Sequence, residues 1–226
     1  MKQLYVFFMI LVMALTANAK NDARADIFFT NGSVIEGVEL KLPASWYDKV
    51  EYTIEDKKHK IHADSIDHIL LYHVDVPERK AYIRRNQVGE FDHKKNEVKD
   101  WKVKNWQVLE SAGEHLLYWV AFWKVKVKKD KFSFTLGANE RSYATPYYFQ
   151  KTSSPISFNI PANPYRTGVT RDWLAVFLAD DPEIVKHISE KGYFSKKQKD
   201  AMRHGGNDFN PFYYEDIAVD YTPVNK

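Results

Sequence analysis

Short apolar or alternating runs, separated by tight-turn residues, fill the stretch Asp26–His73 and constrain the fold more than any other feature of the sequence. Asn31-Gly32 separates the first two runs and is predicted to supply the two residues with φ > 0 of a type I′ hairpin turn. Glu55-Asp56-Lys57 is predicted to form the tip of a second hairpin. This pattern indicates a small, curved antiparallel sheet whose strands cover residues 27–30, 33–42, 49–54 and 58–62.

The end of this stretch contains both helical and strand signals. Asp64 or Ser65 can cap a short helical turn, after which the apolar run Ile69–Tyr72 forms a closing strand. Four to five short strands with one helical turn predict a small SH3-like or Sm-like barrel over residues 20–78.

Two segments of this stretch carry a resemblance to a known group of proteins. They are Thr30–Val38 (TNGSVIEGV) and Lys58–Ile66 (KHKIHADSI), the second leading into Asp67-His68-Ile69. The pattern resembles the N-terminal module of uncharacterised exported bacterial proteins, in which a small barrel precedes a larger variable part. The resemblance covers about a quarter of the chain. It implies a fold and a compartment, and it brings no catalytic residues.

The N-terminus predicts a signal peptide over residues 1–19. A short positive region, Met1-Lys2, precedes the apolar run Leu4–Leu15, and Ala17-Asn18-Ala19 fits the small-x-small cleavage rule. This apolar run is shorter than the roughly 20 residues that a membrane-spanning helix needs. An uncleaved anchor or a buried N-terminal helix remains the alternative. We expect export, a mature chain that begins at Lys20, and no later transmembrane segment.

The composition limits which compartments and which classes of partner are expected. The chain has no cysteine, so it can form neither a disulfide nor a lipid-attachment site, and stability must come from core burial. Secretion without cysteine is typical of bacterial export to the periplasm, the outer-membrane surface or the medium. The formal charge of +3 combines 33 basic with 30 acidic residues, a balance that argues against a nucleic-acid partner.

Residues 79–165 are predicted to form a second antiparallel sheet. Alternation around a turn at Lys129-Asp130 predicts a hairpin, whereas the hydrophilic segment Glu90–Asp100 is predicted to be an exposed loop or domain junction. Further strands are predicted at residues 80–84, 116–127, 132–136, 141–150 and 156–160.

Residues 166–226 have a helical period, which makes the predicted fold class a β-rich α+β fold. Asp180-Asp181-Pro182-Glu183 is a strong helix start, with a helix predicted to end near Lys191 and Gly192 as its cap. Other helices are predicted at residues 171–178, after the capping box Ser195–Gln198, and at residues 213–221. The helical segment is expected to pack on the second sheet.

The densest set of possible metal ligands consists of His59, His62 and Asp64. Imidazole and carboxylate groups bind zinc and other divalent ions. On a strand, however, residues 59 and 62 point to opposite faces and converge only if the chain bends. The alternative is the polar face of a hairpin, and no cofactor is expected.

Catalytic signals in the sequence are weak. The chain contains no GxSxG motif, and its adjacent carboxylates, Asp180/Asp181 and Glu215/Asp216, lack the separation that glycoside hydrolysis needs.

Two features predict ligand binding. Lys124, Lys126 and Lys128 share one face of a strand and can attract anionic polysaccharide or lipid headgroups. Alternatively, these lysines form a solvated face that prevents edge-to-edge aggregation. Trp46 and Tyr47 follow Pro43 in a loop, where their rings can stack on sugars or anchor a protein partner, or can pack back onto their own sheet.

Together these features predict an exported binding or interaction module of the cell envelope, without enzymatic activity, that recognises an unknown protein or glycan partner. An exported hydrolase acting on glycans or peptides, with a site assembled from distant residues, is one alternative. A structural subunit of an envelope assembly is the other.

Overall fold

A computed structural model describes residues 22–42, 46–137, 145–161, 167–190 and 212–224. The predicted signal peptide and the predicted helix after Ser195 lie outside these ranges, as do Lys191 and Gly192 at the predicted end of the preceding helix.

Strands dominate the fold, so the predicted β-rich α+β class is confirmed: 57% of the structure is strand and 17% is helix. The strands are β1 Ala23–Phe29, β2 Val34–Lys41, β3 Lys49–Ile54, β4 Lys57–His62, β5 Ile66–His73, β6 Val76–Asp92, β7 Glu97–Ala112, β8 Leu116–Val127, β9 Phe132–Leu136, β10 Tyr147–Lys151 and β11 Ile156–Asn159. The helices are α1 Thr167–Phe177, α2 Pro182–Ser189 and α3 Phe212–Asp220, and a 3₁₀ turn occupies Ala63–Ser65.

Five strands close into a barrel in the order β6-β7-β8-β10-β11. The ring closes because β11 pairs with β6, with Ser157 opposite Val88. This closing pair is parallel, whereas the other pairs of the ring are antiparallel, so the sheet is mixed. The sequence predicted a second antiparallel sheet in this region and missed both the closure and the parallel pair, because a contact between residues 157 and 88 leaves no local signal.

The first five strands form an antiparallel sheet in the order β5-β1-β2-β3-β4. This sheet joins the barrel through β5 and β6, which pair from His68 opposite Arg84 to His73 opposite Val76. Among the described residues, no pairing brings β4 back to β5, so the closed ring lies downstream of the predicted N-terminal barrel. The resemblance to an SH3-like or Sm-like module stays a prediction.

The two predicted hairpin tips differ in outcome. Glu55 and Asp56 have φ values of 48° and 62°, which is the pattern of a type I′ turn at the predicted second tip. At the first tip only Gly32 has a positive φ, of 85°, so the predicted type I′ turn at Asn31-Gly32 is wrong. The Asn31 side chain instead accepts hydrogen bonds from the backbone and hydroxyl of Ser33, at 3.0 and 2.7 Å, and holds a longer loop.

The hydrophilic segment Glu90–Asp100, predicted to be an exposed loop, is the end of a long hairpin. Strands β6 and β7 stay paired out to Asp92 opposite Glu97. The backbone of this hairpin satisfies its own hydrogen bonds, so polar side chains on both faces do not prevent strand formation.

The helix start at Asp181 is confirmed. The side chain of Asp181 accepts a hydrogen bond from the backbone N–H of Ile184 at 3.1 Å, and Pro182 is the first helical residue. The second oxygen of Asp181 accepts from the N–H of Thr222 at 2.6 Å, which ties the chain after α3 to the start of α2. The helix ends at Ser189, and Glu190 already has extended backbone.

The barrel encloses a polar interior. Asn86 donates to Gln107 at 2.8 Å, and Gln107 on β7 donates to Ser157 on β11 at 3.1 Å, across the intervening strand β6. Asn105 on β7 likewise donates to Tyr148 on β10 at 3.3 Å, across β8. Hydrogen bonds between strands that are not neighbours place these side chains inside the ring.

An aromatic layer covers part of the outer surface of the barrel. The rings of Trp173 and Phe177 in α1 stack at 4.6 Å, and Phe91 of β6 lies edge-on to both. The indole N–H of Trp173 donates to the Phe91 carbonyl at 2.9 Å, so the buried tryptophan has its polar partner. Helix α1 therefore packs on the outside of the barrel, against β6.

Candidate ligand-binding site

Strand β8 extends beyond the barrel, and its last residues form a projecting hairpin with β9. The pairing of β7 with β8 ends at Gln107 opposite Ala121, whereas β9 pairs with β8 as far as Val127 opposite Phe132. A register shift between Phe122 and Lys124 marks the point where the strand leaves the barrel. The predicted hairpin around Lys129-Asp130 is confirmed.

The register shift decides which side chains of the hairpin reach solvent. Val125 and Val127 pack against the core, and Lys124 and Lys126 are exposed together with Lys128. Within the described part of the chain, no carboxylate lies within ion-pairing distance of these three lysines, although the neighbouring Lys129 pairs with Asp75 at 3.4 Å. The three predicted binding lysines are therefore solvated cations on one face.

A groove with a volume of about 540 Å³ separates this hairpin from the N-terminal sheet. Its floor is apolar and its rim is basic. We call it the lysine groove; it is lined by Ala23, Leu40, Lys41, Leu42, Leu71, Lys124, Val125, Lys126, Val127 and Lys128. The volume lies within the range of about 300–1,000 Å³ that is common for ligand sites. None of the described residues that line the groove is acidic, so the groove is complementary to an anion.

A second groove, of about 440 Å³, adjoins the first and shares Lys41 and Leu42 with it. Its charges are largely compensated, because Glu51 accepts from Lys60 at 3.0 Å and lies 3.9 Å from Lys41. The hydrogen bond from Lys60 lowers the pKa of Glu51. Tyr47 also lines this groove. The second groove thus offers an aromatic ring and balanced charge, and the lysine groove offers uncompensated positive charge.

The predicted aromatic pair lies between the N-terminal sheet and the β8–β9 hairpin. The ring of Trp46 packs 4.5 Å from the ring of Trp123, so this side chain contacts the β8–β9 hairpin. Tyr47 is 57% exposed, and its backbone carbonyl accepts from the indole N–H of the buried Trp106 at 3.1 Å. The loop is anchored while the ring of Tyr47 remains accessible.

The structure brings two of the three predicted metal ligands together, because Nδ1 of His62 lies 3.5 Å from a carboxylate oxygen of Asp64, but it does not bring His59 to them. His59 stacks on Tyr52 at 5.2 Å, whereas His62 lies opposite Lys49 and points to the other face of β4. Asp64 accepts from Arg85 and Lys104, both at 2.9 Å. The described ranges contain no cluster of three or more histidine or acidic side chains that could hold a metal ion.

The acidic pairs near the C-terminus have structural contacts. Asp180 accepts from Lys151 at 3.0 Å, and Asp181 caps α2. Glu215 in α3 faces Glu110 of β7. Glu110 is exposed as a whole residue, but its carboxyl group is desolvated. This desolvation, and to a smaller extent the negative charge of Glu215, raises the pKa of Glu110 to about 7. This contact belongs to the docking of α3 on the barrel.

Lys41 and Leu42 complete the lysine groove, and the sequence reasoning did not select them. Lys41 lies more than 80 residues before the lysines that it faces, so only the fold brings them to one groove. Trp123, which the sequence reasoning also did not select, lies outside the groove and packs against Trp46.

Comparisons with protein-family models, curated proteins and solved structures give no match. The geometry of the site therefore carries the functional argument. None of the described helices is long and apolar enough to cross a bilayer.

Proposed function

We propose that this chain is an exported, non-enzymatic binding module of the bacterial cell envelope that holds an anionic partner in the lysine groove. The single observation that carries the proposal is the groove itself, in which Lys41, Lys124, Lys126 and Lys128 surround an apolar floor without any acidic residue. The predicted signal peptide supports the compartment.

The electrostatics favour the lysine groove over the rest of the surface. Four cations within one concave surface reinforce one another, and a bound anion gains from all of them. Lys124, Lys126 and Lys128 are not held in ion pairs with the described carboxylates, so binding does not have to break existing pairs at the hairpin, and Lys41 has only a long contact with Glu51, at 3.9 Å. Such exposed charges are screened by salt, which predicts affinity that falls as ionic strength rises.

The test is binding of a polyuronate, alginate, to the mature chain, with neutral dextran as the uncharged comparison. We expect alginate to bind and dextran not to bind. Replacing Lys124, Lys126 and Lys128 by glutamine should weaken alginate binding by about tenfold or more, which corresponds to about 1.4 kcal/mol.

A matched variant controls for net charge. Lys94, Lys95 and Lys99 are exposed near the tip of the β6–β7 hairpin and do not line the groove, so their replacement by glutamine removes the same charge elsewhere. Equal weakening by both triple variants would show attraction to net charge alone and would refute the groove. Export is tested separately: the protein recovered from an envelope fraction should begin at Lys20.

A further inference from the structure

None of the described strands pairs with the edge that the end of β8 presents to the lysine groove. Ala121 donates to the Pro146 carbonyl at 2.8 Å and accepts from the N–H of Gly137 at 3.2 Å, so β9 and β10 lie along the same edge of β8. The opposite edge is covered by β7 only as far as Ala121. Beyond that residue, no described strand pairs with this edge.

The hydrogen-bonding pattern identifies the backbone groups that face the groove. Lys128 and Lys131 exchange two hydrogen bonds, at 2.9 and 3.3 Å, and are therefore a hydrogen-bonded pair of the hairpin. Such pairs alternate along an antiparallel ladder, so Lys126 also bonds to β9, and Val125 and Val127 direct their N–H and C=O groups to the other side. Both valines line the groove.

The same edge carries a regular pattern of side chains. Lys124, Lys126 and Lys128 lie on the solvent face, while Val125 and Val127 lie on the core face. A strand added to this edge would place its own residues opposite them, and opposite charges facing each other across two strands are favourable. The best complement is an extended segment that alternates acidic and apolar residues.

We propose that the occupant of the lysine groove is an extended peptide segment of a partner protein, with alternating acidic and apolar residues, that adds as a strand to the free edge of β8. Strand addition supplies affinity through the main chain, and alternate side chains supply specificity. An exposed strand edge can pair with the same edge of another copy of the chain and so promote aggregation. The lysines also prevent this pairing, because their positive charges repel each other. This inference rests on the proposed function, since it names the partner for the same groove.

The experiment uses the mature chain and an acetylated, amidated peptide that alternates glutamate and valine over seven residues. Two N-methylated isomers of this peptide separate strand addition from charge attraction. One is methylated on the glutamate backbone nitrogens and the other on the valine nitrogens. In an added strand only one of these sets donates to β8. We expect one isomer to bind about tenfold or more weakly and the other to bind nearly as well as the parent.

Two protein variants give an independent readout. Val125→Pro removes an N–H that faces the groove and takes no part in the ladder with β9, so it should weaken the peptide about tenfold while the melting temperature shows that the chain still folds. The triple replacement of Lys124, Lys126 and Lys128 by glutamine should weaken it similarly. The control triple replacement of Lys94, Lys95 and Lys99 should change the affinity less than twofold.

The outcomes distinguish this inference from the function on which it rests. If both isomers bind like the parent, or if alginate binds and the peptide does not, strand addition is wrong and the anion-binding groove stands. If neither alginate nor the peptide binds, both are wrong. Concentration-dependent dimers that the peptide does not dissociate would assign the edge to a second copy of the chain and would also overturn the inference.

Discussion

Asp26 holds the N-terminal sheet together through a buried carboxylate, and its replacement tests the reasoning about this half of the fold. The residue is only 7% exposed. One oxygen accepts from the backbone N–H of Gly37 and from the hydroxyl of Tyr72, both at 3.1 Å, and the other accepts from Lys80 at 2.7 Å. Three strands, β1, β2 and β5, together with the start of β6, therefore meet at this carboxylate.

Asp26→Asn removes the charge and keeps the shape. The amide oxygen can still accept from Gly37 and Tyr72, but the amide nitrogen then faces Lys80, which loses its partner. A hydrogen bond to a charged group contributes about 1.5–3 kcal/mol. Because Lys80 is partly exposed, we expect the free energy of unfolding to fall by about 2 kcal/mol. For a chain of this size that equals about 4–8 °C in melting temperature.

Asp26→Ala should cost more, because it also leaves the N–H of Gly37 without an acceptor. Gly37 has a φ of 68°, a conformation that this contact helps to hold. Besides the loss of about 2 kcal/mol at Lys80, the variant removes the acceptor of two neutral hydrogen bonds, from Gly37 and Tyr72, at about 0.5–1.5 kcal/mol each, so we expect a total loss of about 3–5 kcal/mol. Urea-induced unfolding, followed by tryptophan fluorescence and circular dichroism, measures both losses.

The pH dependence of the Asn variant supplies an independent check. Burial alone raises the pKa of Asp26, but the hydrogen bonds from Lys80, Gly37 and Tyr72 outweigh it and leave the pKa below its ordinary value. The carboxylate therefore stabilises the fold above the unfolded pKa of about 3.9, and this contribution is lost as the pH falls through the folded pKa. The difference between wild type and Asp26→Asn should shrink under acidic conditions.

A double-mutant cycle that combines Asp26→Asn with Lys80→Gln isolates the interaction energy between these two side chains. The surface variant Glu51→Gln is the comparison. The exposed pair of Glu51 and Lys60 should contribute much less than the pair of Asp26 and Lys80, because solvent screens it. A loss below about 0.5 kcal/mol for Asp26→Asn, or no coupling between Asp26 and Lys80, would refute the reasoning.

Variants at three further positions test the docking of the helices. Gly113→Ala places a Cβ 2.0 Å from the Ala218 carbonyl oxygen of α3, so it should displace that helix and expose it to limited proteolysis, whereas an unchanged cleavage pattern would contradict the packing. Because the pKa of Glu110 is raised to about 7, its protonated form stabilises the fold fully below about pH 4.5, and this contribution is lost as the pH rises through 7. Urea midpoints of the wild type should fall between pH 5 and 8, and those of Glu110→Gln should not share this fall. Asp181→Ala removes the helix cap and should lower the free energy of unfolding by about 1–2 kcal/mol. Asp181→Asn keeps a capping oxygen and should lower it clearly less, so equal losses would argue against capping.

The sequence by itself determined those elements that depend only on interactions between residues close together in the chain. The hairpin tip at Glu55-Asp56, the capped start of α2 at Asp181 and the alternation of Lys124 and Lys126 all depend on neighbouring residues, and the structure has each of them. The failure at Asn31 is also local: an asparagine side chain can bond to the residue two positions on, and this competes with the positive φ that a tight turn requires.

Tertiary structure alone decided the barrel and the binding groove. The ring closes through Ser157 and Val88, and the groove combines Lys41 with Lys124, so both depend on contacts between residues about 70 or more positions apart. Periodicity in a sequence states which face of a strand is apolar, but it does not state which strand will lie beside it. The uncovered edge of β8 follows from where β7 ends its pairing, and only the assembled sheet determines that position.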